Sequence, residues 1–102
     1  MVNPIDRLKT LNTRECLWIY VLRILSDQPK HAYALRKEIE ERFGFRPGRM
    51  TAYKVLYLLH KKGFVVKMRA GRRVLYSITP NGKEALKEAV SFYKGLARIL
   101  SK

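Results

Sequence analysis

The hydrophobic period of this chain changes at Gly63 and changes back at Pro80, and few folds accommodate that order. Up to Lys62 the apolar residues recur at helical spacing, between residues 65 and 78 they alternate, and after Pro80 the helical spacing returns. Residues 65–70 and 74–78 read as two short strands around Gly71-Arg72. In the first, Val66 and Met68 alternate with Lys67 and Arg69; in the second, Tyr76 and Ile78 alternate with Leu75 and Ser77.

Three helices precede this hairpin. The first is expected over residues 13–26, opened by Asn12 with Glu15 in the manner of a capping box. Its dense apolar residues suit a central helix buried on several sides, and Asp27-Gln28-Pro29 ends it. The second covers residues 31–43, with Ala32, Leu35 and Ile39 inward, Arg36, Lys37, Glu40 and Glu41 toward water, and Gly44 as its stop. The third follows Pro47-Gly48 and reaches Lys62, with Ala52, Val55, Leu56 and Leu59 as its core stripe. After the hairpin, Thr79 as N-cap and Pro80 at the first position start the last helix. Ahead of everything, Asn3-Pro4 and the spacing of Ile5, Leu8 and Leu11 fit either helical turns packed on a partner or a frayed end.

Helix, helix, helix, strand, strand, helix is the outline of a winged helix-turn-helix domain: mainly α with a small β-hairpin. Residues 1–79 are expected to form that domain with its N-terminal lead. Residues 80–102 add a C-terminal dimerisation helix to the same structural unit.

Charge narrows the partner. Lys and Arg number 22 against 8 Asp and Glu, a formal net charge of +14, so the chain attracts polyanions. No carboxylate lies between Glu41 and Glu84, while Arg42, Arg46, Arg49, Lys54, Lys61, Lys62, Lys67, Arg69, Arg72, Arg73 and Lys83 do. A surface that meets a phosphate backbone needs that arrangement. Arg49, Thr51, Tyr53 and Lys54 crowd the start of the third helix, the end that helix-turn-helix proteins present to bases in the major groove. Arg49 is the base reader expected there, by paired bonds to guanine. Tyr57 is assigned to the core rim. Arg69 lies in the hairpin, and Arg72 and Arg73 at its tip are placed to meet phosphates or the minor groove. The partner expected is double-stranded DNA.

The last helix carries two adjacent seams at 4-3-4-3 spacing, one of Leu86, Val90, Tyr93, Ala97 and Leu100, the other of Ala85, Ala89, Phe92, Leu96 and Ile99. One seam can pack on its own domain; the other requires a second chain, so a homodimer is expected through Leu86, Val90, Tyr93, Ala97 and Leu100.

Other classes find little support. No nucleophile has a positioned base, His31 and His60 are isolated from other metal ligands, and no phosphate-cradling loop has a known spacing, so neither an enzyme nor a metal or cofactor is expected. Cys16, the single cysteine, reads as a small core residue in a reducing compartment. No signal peptide is visible, and the apolar run over residues 16–25 is broken by Arg23 and too short to span a bilayer. A cytoplasmic location and no membrane association are expected. The rival within nucleic-acid binding is an architectural DNA- or RNA-binding winged helix without sequence preference.

Residues 17–86 resemble the PadR family of transcriptional regulators. His31-Ala32-Tyr33-Ala34-Leu35 is similar to that family's His-Gly-Tyr-x-Leu. Residues 51–65, beginning Thr51-Ala52-Tyr53, are similar to Thr-Val-Tyr-x-x-Leu-x-x-Leu-x-x-x-Gly-Leu-Val. Residues 71–83 resemble Gly-Arg-x-Arg-x-Tyr-x-Leu-Thr-x-x-Gly-Arg. The resemblance implies a short, homodimeric, repressor-like member in which Tyr33, Thr51 and Tyr53 touch DNA. It also implies a candidate site for a flat aromatic effector between subunits, lined by Trp18, Phe92 and Tyr93. Where the family often has Ser-Pro-Gly before its threonine, this chain has Gly48-Arg49-Met50.

Overall fold

Glycine and proline punctuate the backbone largely where the sequence places them. In the computed structural model, which describes residues 3–102, the elements are α1 (Pro4–Leu11), α2 (Leu17–Leu25), α3 (Ala32–Phe43), α4 (Arg49–Lys61), β1 (Val65–Ala70), β2 (Arg73–Ile78) and α5 (Pro80–Leu100). The first two residues of the expected lead lie outside this range.

α2 is the hub. Leu17, Val21, Leu22, Ile24 and Leu25 are buried on it, and Leu35 and Ile39 of α3, Leu56 and Leu59 of α4 and Val65 of β1 close around them. Each such side chain contributes about 1.5–3 kcal/mol by leaving water. α3 starts at His31, whose ring Nδ1 faces the Ala34 N–H, and stops at Gly44, which takes a φ of 80°. That left-handed backbone suits glycine.

β1 and β2 pair antiparallel from Val65 opposite Ile78 to Ala70 opposite Arg73. Gly71 and Arg72 make the turn, with Gly71 at φ 65° in the first central position, where a tight hairpin of this kind needs positive φ. Only Val65 of β1 is buried. Val66 and Met68 therefore point away from the core, and Val65 with Tyr76 and Ile78 forms the inward side. The hairpin is a projecting wing, so its strands lack a second covered face.

A single antiparallel bridge joins Lys30 to Tyr76. Lys30 N–H donates to the Tyr76 carbonyl at 3.1 Å and Tyr76 N–H to the Lys30 carbonyl at 2.8 Å. This stitch fixes the start of α3 beside the wing.

The chain between α1 and α2 departs from the sequence expectation. Asn12 and Glu15 form no capping box, and α2 starts at Leu17, not at residue 13. Asn12 instead closes α1: its side-chain N–H donates to the Leu8 carbonyl at 2.8 Å. Thr13 Oγ1 likewise donates back to the Lys9 carbonyl at 2.8 Å. Short polar side chains can serve the helix behind them as readily as the one ahead. Cys16 is half-buried at the N-cap of α2 rather than in the core. Tyr93 Oη donates to Asn12 Oδ1 at 2.8 Å and Tyr20 Oη to the Asn12 carbonyl at 2.5 Å, so this corner ties α1, α2 and α5 together.

Candidate nucleic-acid interface

The turn between α3 and α4 is held from within, because Arg36 Nε donates to the Pro47 carbonyl at 3.1 Å. Arg36 is thus half-buried, not solvated as its place opposite the apolar stripe suggests. α4 buries Ala52, Leu56 and Leu59 and turns its other side outward. On that side Arg49, Met50, Thr51, Tyr53, Lys54 and Tyr57 are exposed. Met50 is 82% and Tyr57 62% exposed. Tyr57 does not pack on the core rim: it lies one residue past Leu56, where the helix surface faces solvent. Gly48 caps α4 without a side-chain bond, leaving backbone N–H groups of the first turn free beside Arg49.

The wing stands on the same side. A cleft of about 410 Å³ lies between α3, α4 and the hairpin, lined among others by His31, Tyr33, Tyr53, Arg72 and Arg73. The fold thereby brings together four of the expected DNA contacts, from three elements spread over forty residues. Arg69 is exposed on β1 and does not line that cleft. Burial pushes the Tyr76 phenol at its floor above the usual tyrosine range, with Tyr53 a smaller cause.

The charges are sorted by side. Asp27 binds Arg23 and Arg42, Glu38 binds Lys30 and Arg42, and Glu40 binds Arg46. Among the described residues, Arg49, Lys54, Arg69 and Arg72 make no ion pair. The carboxylates neutralise cations of α2, α3 and their flanks, while these four residues of α4 and the hairpin keep their positive charge for a polyanion. Sequence reasoning did not foresee that His31 Nε2 lies 3.0 Å from Arg73 Nη1.

On α5 the two seams straddle α2. Leu86 and Val90 lie over Arg23 and Ser26, while Ala85, Ala89, Phe92 and Tyr93 lie over Cys16, Trp18 and Ile19 around a space of about 370 Å³. Trp18, Phe92 and Tyr93 thus share one cavity. Past Tyr93 the helix outruns its support. Ile99 and Leu100 are exposed, Leu100 by 74%, and α1 presents Ile5, Leu8 and Leu11 to solvent. Between α1 and α5 runs a groove of about 630 Å³ lined by Leu8, Ile19, Tyr20, Tyr93, Leu96 and Leu100 among others.

Among the described residues no helix is long and apolar enough to cross a membrane, and no cluster of His, Cys, Asp and Glu is arranged to hold a metal.

This geometry has counterparts. A transcriptional regulator from Clostridium thermocellum superposes with a TM-score of 0.79 at 17% identity, over 99% of this chain and 96% of that one. A PadR family transcription regulator from hypervirulent Clostridium difficile R20291 gives 0.76 at 20%, over 82% and 93%. Bacillus subtilis PadR in complex with operator DNA gives 0.65 at 21%, over 72% of this chain and 46% of that one. No curated protein matches the sequence. The model of the transcriptional regulator PadR-like family matches residues 21–88, two-thirds of the chain, from the middle of α2 through the wing into α5. The chain belongs to the PadR-like family of transcriptional regulators.

Proposed function

We propose that this protein is a sequence-specific, homodimeric DNA-binding repressor. The observation that carries the reading is the front of α4 and the wing: exposed Arg, Lys and Tyr side chains on one side, with no ion pair on Arg49, Lys54, Arg69 or Arg72. The N-terminal half of α4 enters the major groove. Arg49 reads a base there, with Thr51, Tyr53 and Lys54 beside it. Tyr33, Arg69, Arg72 and Arg73 meet the flanking backbone.

The dimer forms through Val90, Ala97 and Leu100 of the expected α5 seam, which are exposed. Leu86 packs on its own core and Tyr93 bonds to Asn12. The other exposed apolar residues of α5 and the stripe of α1 join the contact. Ile5, Leu8 and Leu11 of α1 and Phe92, Leu96, Ile99 and Leu100 of α5 are exposed in the single chain, more apolar surface than a monomer ordinarily leaves in one region. A two-fold dimer sets two copies of α4 on one duplex and favours a pseudo-palindromic site. A flat aromatic effector would lie against Trp18, Phe92 and Tyr93, where it meets α2 and α5 together.

Competitive binding of the duplex upstream of the protein's own gene against random duplex, across a salt series, tests the proposal. A preference of about a thousandfold or more near physiological salt supports a specific regulator. Equal affinities with one steep salt slope, on this and on genome-wide selected fragments, refute sequence specificity and leave an architectural binder.

A further inference from the structure

We infer that His31 is a positioning residue for the wing, holding the Arg73 guanidinium over the cleft at the expense of the α3 cap. Two donors converge on its ring. Arg73 Nη1 lies 3.0 Å from Nε2, and the Ala34 N–H lies 3.3 Å from Nδ1. A neutral imidazole has one acceptor nitrogen, and an imidazolium has none. Only one donor can therefore be satisfied. The shorter contact carries a full positive charge on its donor, which strengthens it over a bond between neutral groups. Arg73 takes the lone pair, Nδ1 holds the proton, and the Ala34 N–H is left without an acceptor on the ring.

The arrangement is built by the backbone. The Lys30–Tyr76 bridge fixes His31 beside β2, and Arg73 is the first residue of that strand. Around the ring stand Tyr33 of α3, Tyr53 of α4, and Arg72, Arg73 and Tyr76 of the hairpin. No carboxylate lines this cleft, and the neighbouring Lys30 is paired with Glu38 at 2.9 Å. His31 is thus the acceptor that holds Arg73 while no phosphate is present. The guanidinium's other N–H groups stay free for a DNA phosphate, with the tyrosines on either side.

The inference rests on the DNA-binding reading. It predicts that DNA binding weakens at His31 even when the α3 cap is kept. His31→Asn keeps an N-cap side chain of the best class but cannot present an acceptor where Nε2 stands. The variant should bind a random 20-base-pair duplex roughly two- to tenfold more weakly, the range of one hydrogen bond. The salt slope should not change, because no charge is removed.

The deciding measurement is a double-mutant cycle on that duplex with His31→Asn, Arg73→Ala and the pair, repeated with His31→Ser as an alternative cap. If His31 acts through Arg73, its replacement has no further effect once Arg73 is gone. Independent, multiplying losses overturn the positioning role while leaving DNA binding intact. Failure of the wild-type protein to bind the duplex overturns both.

Discussion

Replacing Gly82 with alanine tests how the last helix is seated. A Cβ there would lie 2.1 Å from the Phe64 carbonyl oxygen and 2.7 Å from Ile78 Cγ1. The first distance falls short of ordinary contact by roughly 1.3 Å, so the first turn of α5 must back away from the start of β1. Two bonds resist that motion: Thr79 N–H to the Phe64 carbonyl at 3.1 Å and Thr79 Oγ1 to the Gly63 carbonyl at 2.6 Å. Forced overpacking costs about 1–3 kcal/mol, and each weakened bond about 0.5–1.5 kcal/mol. Alanine's better helix propensity offsets about 1 kcal/mol. The balance is a destabilisation of about 1–5 kcal/mol, a fall in Tm on the order of 4–40 °C for a chain of this length. Gly95→Ala is the control in the same helix. Its Cβ would meet nothing within 4 Å, so it should stabilise by about 0.5–1 kcal/mol. Urea unfolding followed by far-UV circular dichroism, at one fixed chain concentration, measures both. If Gly82→Ala unfolds within about 0.5 kcal/mol of wild type, the close approach does not constrain α5 and the reasoning fails.

Arg49→Ala should weaken a preferred operator by about 1–3 kcal/mol and random DNA much less, since a paired guanine contact discriminates by that amount; equal losses in a gel-shift comparison would make Arg49 a phosphate contact. Arg72→Ala with Arg73→Ala should weaken both kinds of DNA and lower the salt slope by about 1.8 per protomer; an unchanged slope removes the wing from the interface. Val90→Glu with Leu100→Glu should sediment as monomers, and a surviving dimer would place the interface elsewhere. Hydrogen bonds from Arg23 and Arg42 hold the Asp27 carboxyl below the usual range, and Lys30, then Arg42, do the same for Glu38. Carboxyls depressed in the folded state stabilise it above their unfolded values and lose that effect as pH falls through the folded ones. Tm should therefore be level near neutrality and decline below about pH 4, less steeply in Asp27→Asn with Glu38→Gln. A decline of equal steepness in that variant would remove these ion pairs from the acid response.

The features legible in the sequence are those whose chemistry is local. The period switch after Gly63, the Gly71 turn and the Thr79-Pro80 helix start depend on backbone preferences of one to three residues, and each falls where the spacing puts it. The start of α2 was not legible, because Asn12 and Thr13 can bond forward or backward and the choice depends on Tyr20 and Tyr93 packing above them. The exposure of Tyr57 was hidden by its amphipathic character: a phenol suits a core rim and an open surface alike. The outward turn of Val66 and Met68 depends on how far the wing projects beyond the core, which alternation does not encode. His31 and Arg73 are 42 residues apart and meet only because Lys30 and Tyr76 pair. No local pattern announces that pairing.

The same pairing has a mechanical consequence. By lacing the start of α3 to β2, it makes the wing and the helix-turn-helix a caliper with a set gap between its jaws. A duplex gripped at both jaws must match that gap or deform to it. Stiff, narrow tracts and easily kinked steps differ in what such deformation costs. The protein would then discriminate among sequences at base pairs that none of its side chains touch.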